Sequence, residues 1–125
     1  MRILLIDDEP MVCELVETML SAAGHAVVVA ANGRIGLEQL ETSDIDLVLT
    51  DIIMPEVEGI EMVMTIRKRF PNKTIIAMSG GGRAGDMDFL AAARELGASA
   101  ILRKPFTIKA LNDAISEALA AKRSS

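Results

Sequence analysis

Five short runs rich in isoleucine, valine and leucine recur along the chain: ILLI at 3–6, AVVVA at 26–30, DLVLT at 46–50, TIIAM at 74–78 and SAIL at 99–102. They begin roughly every 20–28 residues, and apolar positions at helical spacing fill the intervals. Strand-length runs alternating with amphipathic stretches predict repeated β-α units, hence an α/β domain on a parallel sheet. The near-continuous hydrophobicity of the first, third and fourth runs suits strands covered on both faces. Half of the 125 residues are apolar, which suits one compact domain over residues 1–125 and leaves no room for a second.

Five helices are expected between and after these strands. The first starts at Pro10, whose missing N–H is harmless in a first turn, carries Val12, Leu15, Val16, Met19 and Leu20 on one stripe, and ends at Gly24. Asn32 caps a short second helix reaching about Glu41, although Gly36 inside it costs about 1 kcal/mol of helix propensity. The third runs from Glu58 to Arg69 with Ile60, Val63 and Ile66 recurring at threes, and Pro71 closes it. The fourth covers Asp86 to Leu96 and ends at Gly97. Thr107 caps the fifth, on which Ile108, Leu111, Ile115 and Leu119 form a stripe.

Charge excludes several functions. With 18 acids against 13 bases the net charge is -5, and a nucleic-acid binder needs a basic face, so no direct nucleic-acid partner is expected. The longest unbroken apolar run, Ala26 to Ala31, falls far short of the ~20 residues of a membrane helix, and no secretory segment opens the chain. A cytoplasmic protein is expected. Cys13, the single cysteine, cannot form an internal disulfide and reads as a small core residue.

In open α/β sheets the chemistry collects where strands end at their carboxyl side. There the sequence places Asp7 and Asp8 after the first strand, Asp51 after the third, Ser79 after the fourth and Lys104 after the fifth. Carboxylates suit a hard divalent cation, while an ammonium and a hydroxyl suit phosphate oxygens. If the first and third strands are neighbours, three carboxylates converge, and two charges ~4 Å apart repel by about 4 kcal/mol at an effective dielectric near 20. Mg²⁺ is the natural neutraliser, since it binds through one or two carboxylates and keeps several waters. Each residue also has a plainer reading. Asp8 and Glu9 could cap the first helix, Asp51 could serve a turn and Lys104 could be a solvated charge. Ser79 with Gly80, Gly81 and Gly82 could be a flexible turn, since it lacks the lysine of a P-loop. All of these plainer readings would have to hold together on one rim.

Four motifs, ILLIDDEP at 3–10, TDIIMPEVEG at 50–59, MSG at 78–80 and KPF at 104–106, resemble the receiver domains of bacterial two-component response regulators, including the stand-alone chemotaxis type. The resemblance spans the whole chain. It implies a flavodoxin-like, doubly wound five-stranded parallel sheet of order 2-1-3-4-5 with five helices. It further implies that Asp51 takes a phosphoryl group from a sensor histidine kinase or histidine phosphotransfer protein. Asp8 and Asp51 would ligate Mg²⁺ directly, Asp7 largely through water, and Ile53 through its backbone carbonyl, while Ser79 and Lys104 would meet the phosphoryl oxygens. The fourth helix, fifth strand and fifth helix would form the output face toward a target protein, an output domain or a second copy. The domain would then be a switch rather than an enzyme, apart from its own Mg²⁺-dependent aspartyl phosphorylation and dephosphorylation.

One position departs from the pattern. The family usually has an aromatic residue three positions before the lysine, and here that position is Ile101. Coupling through the glycine-rich stretch Ser79 to Gly85 is expected instead. Among competing functions, a haloacid-type phosphatase needs an acid two residues beyond its nucleophile, where Ile53 stands. A flavin or nucleotide site lacks the glycine-rich turn after the first strand. A degenerate receiver acting only as an interaction module fits poorly with a full set of acids, hydroxyl and lysine.

Overall fold

The computed structural model describes residues 1–51, 58–80, 94–95 and 97–124. Five strands, β1 (Arg2–Ile6), β2 (Ala26–Ala30), β3 (Leu47–Asp51), β4 (Thr74–Gly80) and β5 (Ala100–Lys104), form one sheet. All neighbours are parallel and the order is β2-β1-β3-β4-β5, so β1 and β3 are adjacent as the clustering of acids demands. Four helices are found among the described residues: α1 (Pro10–Ala22), α2 (Gly33–Thr42), α3 (Glu58–Arg69) and the C-terminal helix α4 (Ile108–Ser124). Of the stretch expected as a fourth helix, 86–96, only Arg94 and Glu95 are described, and both are helical; the rest lies outside the described residues.

Side chains alternate across the sheet with period two, so each strand feeds two cores. Leu4, Ile6, Val48, Ile75 and Ala77 pack against Leu40, Met62, Val63 and Ile66 of α2 and α3. Ile3, Leu5, Leu47, Leu49, Ile76 and Met78 pack against Val16 and Leu20 of α1 and Leu111 and Ile115 of α4. Double coverage explains the apolar run in β1 and in β3 up to Asp51.

Local chemistry sets the boundaries. The Asn32 side chain accepts the Ile35 N–H, and the Thr107 hydroxyl accepts the Ala110 N–H. Gly24, at φ 89°, turns the chain after α1, a conformation that other residues adopt only with strain. Gly36 has a packing reason to offset its poor helix propensity: a Cβ there would lie 2.6 Å from Cδ1 of the fully buried Ile6.

Two expectations about helix faces need correction. Leu15 is 57% exposed and Ile108 is 48% exposed, although both fall on apolar stripes. Helical spacing gives the direction of a side chain but not how far the facing element extends, and both stripes overrun their cover. The capping role for Asp8 and Glu9 is also absent. Glu9 stands at the N-cap position without a side-chain cap, and its own N–H goes to Oδ1 of Asp7 at 3.0 Å.

Candidate functional site

Strand register builds the site. Ile6 pairs with Thr50, so the next residues, Asp7 and Asp51, emerge side by side at the carboxyl rim. Asp51 pairs with Met78 and Gly80 pairs with Lys104, which brings Ser79 and Lys104 to the same edge. The polar residues thus sit at the ends of the ladder, where the sheet meets its loops.

Carboxylate oxygens of Asp7, Asp8 and Asp51 lie within 4.8 Å of one another. Asp7 and Asp51 are buried, whereas Asp8 is exposed. The Lys104 ammonium bridges the two buried acids, donating to Oδ2 of Asp7 at 2.8 Å and to Oδ2 of Asp51 at 3.1 Å. Burial by itself would lower the basicity of Lys104. Its hydrogen bond to Asp7 and the charges of Asp51 and Asp7 outweigh that and hold its pKa above the ordinary value.

One ammonium among three carboxylates leaves this group of four side chains with a net of two negative charges. A hard divalent cation fits that donor set. The acids differ in how free they are to ligate. Both oxygens of Asp7 are engaged, Oδ1 by the Glu9 N–H and Oδ2 by Lys104, while Asp8 stands at the solvent side of the cluster.

Ser79 adds a second kind of incompleteness: its Oγ is buried and has no hydrogen-bond partner among the described residues. A buried hydroxyl left unpaired costs about 1–3 kcal/mol, so it marks a place where a further acceptor or donor belongs.

Beneath the rim, Cys13 Sγ donates to the Asp7 backbone oxygen at 3.3 Å. Burial, then the Asp7 charge, push this thiol up, which disfavours the reactive thiolate and agrees with a small core residue. Ile53, Met54 and Pro55 lie outside the described residues, as do Gly81 to Gly85 of the glycine-rich stretch. Ile101 is partly buried against the α2 and α3 core and pairs in register with Ala77.

The structure therefore brings together Asp7, Asp8, Asp51 and Lys104, with Ser79 at the end of the adjoining strand. The sequence does not signal the pairing of Lys104 with Asp7. The two are 97 residues apart, and no motif signals which acid a distant lysine will reach first.

Comparison with known proteins shows the family and the fold. The family described as "Response regulator receiver domain" matches residues 3–116. Transcriptional regulatory protein GlrR of Escherichia coli K12 is 34% identical over 118 residues, covering 94% of this chain but 26% of GlrR. The chain thus spans about a quarter of the length of that relative. Sporulation initiation phosphotransferase F of Bacillus subtilis is 31% identical over 121 residues, covering 97% of this chain and 95% of that protein. Among solved structures, a response regulator receiver domain protein of Clostridium thermocellum superposes with a TM-score of 0.86 at 34% identity, covering 98% of this chain and 97% of the other.

Proposed function

Because the chain belongs to the response regulator receiver domain family, we propose that Asp51 is its phosphoacceptor, taking a phosphoryl group from a sensor histidine kinase or histidine phosphotransfer protein. Receiver domains are phosphoacceptor signalling modules, and response regulators work with histidine kinases and output domains. In this reading residues 1–125 act as one receiver unit, in the cytoplasm where an ATP-fed kinase presents its phosphohistidine.

The observation that carries the assignment is the shared lysine. Asp51 is buried at the end of β3, held by an ammonium that also holds Asp7, with the unpartnered Ser79 hydroxyl at the neighbouring strand end. An Asp51 carboxylate oxygen attacks phosphorus, the phosphorus–nitrogen bond of the donor breaks, and the donor imidazole keeps the electron pair. The product is an acyl phosphate on Asp51. Its new oxygens offer partners to Lys104 and to the Ser79 hydroxyl, so the added charge of about -1.5 to -2 is met by groups already at the rim. Phosphoryl transfer relies on such positioning and electrostatic stabilisation more than on covalent help from the protein.

Mg²⁺, when bound, supplies neutralisation of the crowded acids and of the incoming phosphoryl charge. Asp8 and Asp51 would hold it directly, with Asp7 acting through water and Ile53 through its carbonyl. The full engagement of Asp7 by Lys104 and the Glu9 N–H supports that division. The domain's own chemistry is then limited to Mg²⁺-dependent gain and loss of the phosphoryl group.

Output would pass through the stretch 86–96, β5 and α4 to a target protein, an output domain or a second copy. With Ile101 in place of an aromatic residue, coupling would run through the stretch from Ser79 to Gly85.

Intact mass after incubation with acetyl phosphate and Mg²⁺ tests the central assignment. The parent gains one phosphoryl group and Asp51→Asn gains none. Equal gain in both would move the acceptor to another residue.

A further inference from the structure

At the edge of the sheet opposite the phosphoacceptor site, a second buried hydroxyl lines a hollow of its own. Thr74 opens β4, is 2% exposed, and its Oγ1 has no hydrogen-bond partner among the described residues. With period two along the strand it shares the face of Ile76 and Met78, the side covered by α4. There Thr74 lines a hollow of about 440 Å³ with Arg67, Asn72, Lys73, Ser99 and Ala121. That volume falls in the range of roughly 300–1,000 Å³ typical of small-molecule sites.

Hollows of similar volume occur elsewhere on the surface, so the lining decides what each could hold. The one beside the rim is lined by the acids Asp7, Asp8, Glu14 and Glu17. The hollow at Thr74 is lined by no acid and by two cations, Arg67 and Lys73, neither of which forms an ion pair among the described residues. Neutral groups hold both in place. Nη1 of Arg67 donates to the carbonyls of Pro71 and Lys73, Nη2 to that of Gly97, and Nζ of Lys73 to that of Ile45. Those bonds fix the two heads without neutralising them. They also leave donors over, because an ammonium has three hydrogens and a guanidinium five. The hydroxyls of Thr74 and Ser99 and the Asn72 amide add uncharged donors.

We propose that this hollow binds a phosphate group, free or carried by a small phosphomonoester. Arginine and lysine together are the usual cations for phosphate, the first through its planar fork and the second as a point charge. The neutral donors favour a tetrahedral anion over a planar carboxylate, since they come from different elements: Asn72 from the turn before β4, Thr74 from β4 itself and Ser99 from the residue before β5. A phosphate oxygen would accept from the Thr74 hydroxyl, which the protein alone leaves unpaired. Asp44 and Asp46 share an adjoining hollow with Asn72 and Lys73, so their charges limit the affinity and make it sensitive to salt. Neither Asp51 nor Mg²⁺ takes part, and the site is independent of the phosphoacceptor assignment.

Amide shifts of a nitrogen-15-labelled sample, titrated with sodium phosphate and in a second series with glycerophosphate, test the site. EDTA is present and NaCl keeps the ionic strength constant. The amides of Lys73, Thr74 and Ser99 move and saturate, while those of Asp7, Asp8 and Asp51 stay in place. Tighter saturation by glycerophosphate identifies a phosphomonoester as the ligand, and tighter saturation by phosphate identifies the free ion. Lys73→Gln, which can still donate to the Ile45 carbonyl, weakens binding by on the order of tenfold, and Thr74→Val by roughly threefold to tenfold. Both variants still gain one phosphoryl group from acetyl phosphate with Mg²⁺, which shows them folded. The proposal is overturned if the three amides do not saturate, if NaCl alone displaces them equally, or if Lys73→Gln binds as tightly as the parent. Sodium acetate that saturates them as tightly as phosphate also overturns it, as does a response confined to the amides of Ser79 and Lys104.

Discussion

Strand β4 carries near each of its ends a buried hydroxyl without a partner among the described residues, Thr74 at the start and Ser79 one residue before the finish. Their surroundings differ in kind. At the Thr74 end the cations satisfy neutral backbone: Arg67 donates to the carbonyls of Pro71, Lys73 and Gly97, at 2.8, 3.0 and 2.5 Å, and Lys73 donates to Ile45 O at 2.6 Å. These groups close loops at the amino edge of the sheet. At the Ser79 end the cation, Lys104, is shared by two buried carboxylates with a third close by, so charge remains in excess. An orphan hydroxyl alone therefore does not identify a site. The one at the rim lies beside carboxylates in excess over their cation, whereas the one at the base lies beside cations held by backbone carbonyls.

Breaking the charged end should have the largest effect. Lys104→Gln leaves Asp7 and Asp51 buried without their cation. It is expected to cost about 3 kcal/mol, the low end for a broken buried pair because Lys104 keeps some contact with water. Urea unfolding measures this, and added Mg²⁺ should recover part of the loss in the variant.

The amino edge should respond in stability but not in phosphoryl gain. Arg67→Ala strands three carbonyls and removes the side chain lying against Gly97, costing about 2 kcal/mol by the same measurement. The extent of phosphoryl gain from acetyl phosphate should be unchanged below the unfolding transition.

The two hydroxyls give the sharpest contrast. Thr74→Val removes an unpaired group and keeps shape, so stability should change by less than about 1 kcal/mol with phosphorylation rate unaffected. Ser79→Ala should be equally harmless to folding but slow phosphoryl gain by roughly tenfold or more. Equal phosphorylation rates in the two variants would remove the distinction between the ends.

The smallest effect concerns His25, which meets the N-terminal amine at 3.3 Å. Burial, then the amine's charge, lower its pKa from the usual value of 6.5. A depressed folded-state pKa means that its contribution is complete above pH 6.5 and is lost as pH falls through the lower folded value. His25→Gln should flatten a shallow decline in stability on acidification below 6.5, read from unfolding at two or three pH values.

Much of this arrangement was legible from residues alone. The run AVVVA is β2 as read, α3 has the expected limits, and Asn32 caps α2 as its position predicts. The rim residues were found because five strands ending on one edge expose their next polar side chains there. Less legible was how far the last two strands extend. TIIAM and SAIL stop two residues short of the carboxyl ends of β4 and β5, because Ser79 and Lys104 remain in the ladder despite their polarity. Nor could sequence show that Lys104 reaches Asp7 as well as Asp51, since that depends on the stagger of three strand ends. Leu15 and Ile108 were misplaced because a stripe does not reveal where its cover stops.

The close seat of α2 on β1 has a consequence at the rim. Ile6, which a methyl group on Gly36 would strike, is the residue immediately before Asp7. A one-carbon thickening on the back of the sheet would thus displace a core side chain whose chain neighbour is an acid already holding a lysine and a loop amide. Tolerance to mutation at position 36 is therefore set by a buried side chain of the sheet as much as by the helix it belongs to.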